Sequence, residues 1–195
     1  MSKRLLLLPC IALLSALVLA ACGGGSSEES QIEEAIEKSV TSTDPADCDK
    51  LETQKFMEQT TRESGAAAVK KCEEEAENEE GAESVAVSGV EVEGSSATAE
   101  AALTGGVLNG QAVEVALVKE GEQWKLDEAV KITKLDRAKL VEAFKQQLAK
   151  AAGELTPRLV ACFVKAFEGD SQAEVEELLL SGSTRPLEEV AEACG

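Results

Sequence analysis

The sequence predicts an α+β protein: N-terminal helices packed on a curved antiparallel sheet, followed by a C-terminal helical segment. Three observations predict it. Apolar residues recur at helical spacing over residues 30–80, at every second position over 83–130, and at helical spacing again over 135–195. The middle stretch is punctuated by turn chemistry at Glu93-Gly94-Ser95, Gly105-Gly106, Asn109-Gly110 and Glu120-Gly121. The 195-residue chain is 44% apolar and 29% charged, a globular balance sufficient for one domain, or one domain plus a small appendage.

In the first helical stretch, Ile32, Ala35, Ile36 and Val40 form an apolar face on a Glu-rich background. Asp44-Pro45 reads as a cap with proline in the first turn. A helix over residues 45–60 then carries Leu51, Phe56 and Met57, and another over 65–79 carries 66–69 and Cys72. The strands follow from strict alternation: Val85 and Val87, Val90 and Val92, then Ala97, Ala99, Ala101 and Leu103, then Val113, Val115 and Leu117, then Trp124 and Leu126. The change of phase at Ser88-Gly89 predicts a bulge. Gly121 permits a tight turn, Trp124 points inward, and Lys125 faces the other side. After residue 135, Asp136 caps a helix bearing Leu140, Val141, Phe144 and Leu148. Thr156-Pro157 starts one bearing Leu159, Val160, Phe163, Val164 and Phe167. Ser171-x-x-Glu174 is a capping box before Val175, Leu178 and Leu179, and Pro186 opens a last helix.

Charge and composition exclude several functions. Lys and Arg number 19 against 37 Asp and Glu, a net charge of −18. Such a surface repels phosphate backbones and anionic headgroups, so nucleic acid is excluded as a partner. With no His and no Tyr, the chain has no His general base, no Ser-His-Asp triad, no His-ligated metal and no Tyr proton donor.

The N-terminus has a basic start at Lys3 and Arg4, an apolar run over residues 5–19 and small residues at its exit, the pattern of a secretory signal peptide. Leu19-Ala20-Ala21-Cys22 resembles the lipobox of bacterial lipoproteins. That resemblance implies cleavage after residue 21 and a diacylglycerol thioether on Cys22, so that the membrane is a partner through the lipid anchor. Each buried acyl CH₂ contributes about 0.8 kcal/mol, so two or three chains hold a protein firmly. The competing reading is an uncleaved transmembrane anchor, for which the run is barely long enough. The expected location is the extracytoplasmic face of the cell membrane. Residues 22–30, rich in Gly and Ser, read as a flexible tether.

Setting aside Cys10 in the leader and Cys22 leaves Cys48, Cys72, Cys162 and Cys194. An even count in an exported chain favours disulfides over a metal site, with three connectivities possible. Folding the 45–60 and 65–79 helices antiparallel brings Cys48 beside Cys72. Cys162 and Cys194 share one helical stretch broken by turns and form the second expected pair.

Helices followed by a curved meander ending in a Gly121-Glu122-Gln123-Trp124-Lys125-Leu126-Asp127 phrase look like the cone-shaped nuclear transport factor two-like fold. The stretches carrying the likeness are 97–101, 113–119 and 121–127. The superfamily includes ketosteroid-isomerase-like proteins, and many bacterial, notably actinobacterial, lipoproteins of this type end on a similar hairpin. The resemblance covers roughly residues 30–130. It implies a domain over 31–132 and leaves 133–195 as an added helical segment. Enzymes of this superfamily place acids, His or Tyr inside the cone. Here only Asp or Glu could serve, and alternation turns Glu100, Glu114 and Asp127 to the polar face, with Glu128 closing the strand.

No catalytic residue, metal ligand or cofactor is therefore assigned. The acidic run over 73–80 spreads its carboxylates around a helix and reads as a solvated face rather than a calcium site. Phe144, Phe163 and Phe167 at helical spacing read as core. Trp124 either plugs the cone or packs in the core. The expected function is a lipid-anchored binding or interaction module taking a small apolar ligand or a protein partner. The alternatives are a small lyase or isomerase with a buried carboxylate, and a structural envelope or secretion-assembly component.

Overall fold

The computed structural model describes residues 25–78, 81–150 and 157–182, with Glu189, Glu192 and Ala193 beyond them. The predicted leader, Cys22 and the helix after Pro186 lie outside these residues, apart from those last three positions. Four helices come first: α1 (Gly25–Thr41), α2 (Asp47–Leu51), α3 (Gln54–Thr61) and α4 (Ala66–Glu77). The strands β1 (Ser84–Glu93), β2 (Ser96–Thr104), β3 (Ala112–Glu120) and β4 (Gln123–Lys134) follow, and then α5 (Arg137–Lys150), α6 (Pro157–Gly169) and α7 (Gln172–Leu180). The strands pair antiparallel in the order β1-β2-β3-β4, an open sheet with β1 and β4 at its edges. The protein is α+β, with helices before and after the sheet.

The alternation in the strands decides the packing. Ala97, Ala99, Ala101 and Leu103, then Val113, Val115 and Leu117, then Trp124, Leu126 and Ala129 are all buried on one face. Ile32, Ala35 and Ile36 of α1 and Phe56 of α3 close over that face to make the main core. The β1–β2 register shifts between Ser88 and Glu91, where Gly89 takes φ +61°, so the phase change in the sequence is a bulge. A second core joins Ile132, at the end of β4, to Leu140, Val141, Val164, Val175 and Leu178. The C-terminal helices are thus fastened to the last strand. The side chains of Phe163 and Phe167 lie outside the described set, while Phe144 packs against this second core.

Two boundaries differ from the sequence reading. Residues 25–30, expected in the tether, are the first turns of α1. Glu28 stands in its first turn, where an anion complements the helix dipole, and accepts a hydrogen bond from Lys119 of β3 at 2.6 Å. The helix expected over 45–60 is broken at Glu52-Thr53. Glu52 is extended and forms a parallel bridge with Leu126, and the Thr53 N–H donates to the Leu126 carbonyl at 2.8 Å. The Thr53 hydroxyl then caps α3 by accepting from the Phe56 N–H. A strand edge in need of a partner outweighs helix propensity here.

Gln59 of α3 ties three elements together. Its amide nitrogen donates to the carbonyls of Ala129 and Leu180, and its amide oxygen accepts from the Ala129 N–H. Gln59→Ala leaves three part-buried backbone groups without these partners, and a loss of about 2 kcal/mol is expected. Urea unfolding of both proteins measures it. A loss below about 0.5 kcal/mol would mean that water replaces the amide without cost.

Candidate functional site

The cysteines divide by position. Cys48 of α2 and Cys72 of α4 form a disulfide with a Cα–Cα distance of 6.2 Å, joining the two helices. Cys162 of α6 is disulfide-bonded too. Its expected partner Cys194 lies outside the described residues, as does the expected lipidation site Cys22.

Trp124 is 2% exposed and sits among the main core residues. The Lys119 ammonium lies 5.5 Å from the ring centroid, and the same Lys119 pairs with Glu28. The inward positions of the four strands between Val85 and Ile132 carry no carboxylate: they are Ala, Val, Leu, Ile and Trp, with Lys119 at the end of β3. Glu114 of the opposite face pairs with Lys131 at 3.0 Å. Asp127, expected among solvated charges, is instead tied to the start of α3, accepting from the Thr53 hydroxyl and from Lys55.

The buried carboxyl among the described residues was not legible from the strands. Glu52, 9% exposed, lies where the α2–α3 break turns it toward α1 and the disulfide. Ser39 Oγ donates to its Oε1 at 2.7 Å. Its Oε2 is 3.5 Å from Cys72 Sγ. A disulfide sulfur carries no proton, so this approach becomes a hydrogen bond only when Glu52 is itself protonated. Burial pushes its pKa up to about 7; Ser39 opposes the shift and the nearby charge of Glu75 adds to it. The signal in the sequence was slight. With Thr53 as cap, Glu52 occupies the preceding position, which often carries an apolar residue packed on the helix.

A cleft of about 270 Å³ opens at one end of the sheet, lined by Ala86, Ala102 and Ala112 and by Lys134 and Lys139. Lys139 faces Asp136 at 3.8 Å. Among the described residues, no group of three or more His, Cys, Asp or Glu is placed to hold a metal ion, and no helix is long and apolar enough to cross a membrane.

The two sheet edges are treated differently. Along β4 the outward backbone groups of Leu126, Ala129 and Ile132 are engaged. Leu126 is paired with the Glu52-Thr53 segment and Ala129 with Gln59. The Ile132 carbonyl accepts from Gln172, and its N–H donates to Glu176. Among the described residues, no hydrogen bond from outside the sheet reaches residues 84–93 of β1. No family model matches the chain, and neither a curated protein nor a solved structure is significantly similar to it.

Proposed function

We propose that this protein is a lipid-anchored, extracytoplasmic interaction module of the bacterial cell membrane, held by a diacylated Cys22 and acting without catalysis. The observation that carries the interaction reading is the packed inner face of the sheet. Ile32, Ile36, Phe56 and Trp124 fill the space in which a relative with a cone would keep its substrate. What the protein binds therefore meets its outer surfaces, which favours a protein segment over a small apolar ligand.

The helices lying over one face of the four strands support the likeness to the cone-like superfamily. The Cys48–Cys72 bond supports export, because such bonds persist in oxidising compartments. The lyase or isomerase alternative has a candidate carboxyl in Glu52, but its oxygens address Ser39 and the disulfide rather than the sheet interior.

Labelled palmitate fed to cells making the full chain tests the anchor. Wild type is expected to carry label and to sediment with membranes. Cys22→Ala is expected to lose both. An unlabelled cytosolic product with its leader intact and its thiols reduced would end this reading.

A further inference from the structure

Three features of β1 belong together. Its outward backbone groups receive no hydrogen bond from another described element, whereas those of Leu126, Ala129 and Ile132 in β4 are engaged by Thr53, Gln59, Gln172 and Glu176. An open edge is a template for another strand unless charge, proline or a bulge blunts it. Residues 84–88 of β1 carry no charge and no Pro, and the bulge begins only after Ser88, leaving them regular. Secondly, although α1 packs on β1, burial among the described residues is incomplete on this side. The inward residues of β2 and β3 are buried, but Val85, Val87 and Val90 of β1 are only partly so, and Val92 is 38% exposed. Thirdly, the surroundings beyond Ser88 are acidic, whereas Lys134 and Lys139 share a cleft with Ala86 near the start of the strand. No Lys or Arg stands between Lys71 and Lys119, a stretch that carries eleven Glu. On the face opposite the core, Glu91 and Glu93 of β1 are exposed, and Glu100 lies beside Ser88 in the next strand.

Resting on the interaction reading above, we propose that the β1 edge takes up an extended segment of a partner protein as a fifth strand, and that this segment alternates basic with apolar residues. Main-chain bonds to residues 84–88 supply the pairing. Apolar side chains on the core side complete the burial of Val85 and Val87, and basic side chains on the other side meet Glu91, Glu93 and Glu100. The same charge argues against a second copy of this chain, since two acidic edges would be brought together by molecules of net charge −18.

The test uses the full chain in non-ionic detergent and a capped (Lys-Val)₅ peptide as probe. Binding is expected, with slowed amide exchange in residues 84–88 and unchanged exchange around Ala129 and Ile132. Methylating alternate peptide nitrogens is expected to abolish binding, and (Glu-Val)₅ is not expected to bind. The exposed double variant Glu91→Lys/Glu93→Lys is expected to weaken binding about tenfold. Binding that survives nitrogen methylation, or protection that falls elsewhere, would overturn the proposal. So would the absence of binding, or a dimer formed through residues 84–88 without peptide. Palmitate labelling reports independently: a labelled, membrane-bound protein that ignores the peptide refutes the edge while leaving the anchor standing.

Discussion

Glu52→Gln is expected to change the stability difference between variant and wild type by about 3 kcal/mol from pH 4 to pH 9, in favour of the variant at high pH. In the folded protein burial raises the carboxyl from 4.5 to about 7. The folded state therefore holds a proton that the unfolded chain has released between these values. Stability from this group is fully present below about pH 4.5 and is lost as the pH climbs through about 7. Glutamine cannot ionise. It keeps an oxygen to accept from Ser39 and presents an N–H₂ where the protonated acid faces Cys72 Sγ. Other carboxyls titrate too. Glu34 and Glu74 are held down by hydrogen bonds from Lys38 and Lys70, and Asp47 by its bond from Ser42. These groups are common to both proteins and cancel in the difference. Urea midpoints of the oxidised proteins at several pH values give the result. Parallel curves with no pH-dependent gap would mean that Glu52 is solvated and ionised in the fold.

Much of this architecture was legible because it follows from period and turn chemistry. The alternation at 97–103 and 113–117 specifies one buried face. Gly89 marks the bulge, and Ser171 with Glu174 writes its own capping box. What escaped depends on contacts distant in sequence. The break at Glu52-Thr53 exists because β4 presents Leu126 to it, 74 positions on from Glu52. Within the local sequence 45–60, only its place before the Thr53 cap sets Glu52 apart from the other carboxylates around it. The same long-range origin hides the treatment of β4, whose edge is covered by Gln59, Gln172 and Glu176 from two separate helices. Glutamines on amphipathic helices read as solvent-facing, and here they do the work of a neighbouring strand. Conversely, the edge of β1 receives no such hydrogen bonds from the described residues.

Trp124→Ala is expected to destabilise the protein by about 4 kcal/mol, the usual range for removing a buried aromatic ring and leaving a cavity. The indole is the sole tryptophan, is 2% exposed and packs in the main core. Its loss also removes the face over which Lys119 sits, a contact contributing about 0.5–1 kcal/mol. Trp124→Phe is expected to fall between alanine and wild type. It keeps most of the ring volume and deletes an indole N–H that is buried without a hydrogen-bond partner. Far-UV circular dichroism through a urea titration measures all three on one scale. Intrinsic fluorescence of the wild type adds a local readout, with blue-shifted emission expected until the core opens. These costs separate the two roles open to this ring. A plug across a ligand cavity touches the lining on one side only, so its removal costs little and uncovers a binding site. A core residue is packed within its cluster, and its removal leaves a hole that the neighbours fill only in part. An alanine variant within about 1 kcal/mol of wild type would return Trp124 to the role of plug and reopen the sheet interior as a binding site.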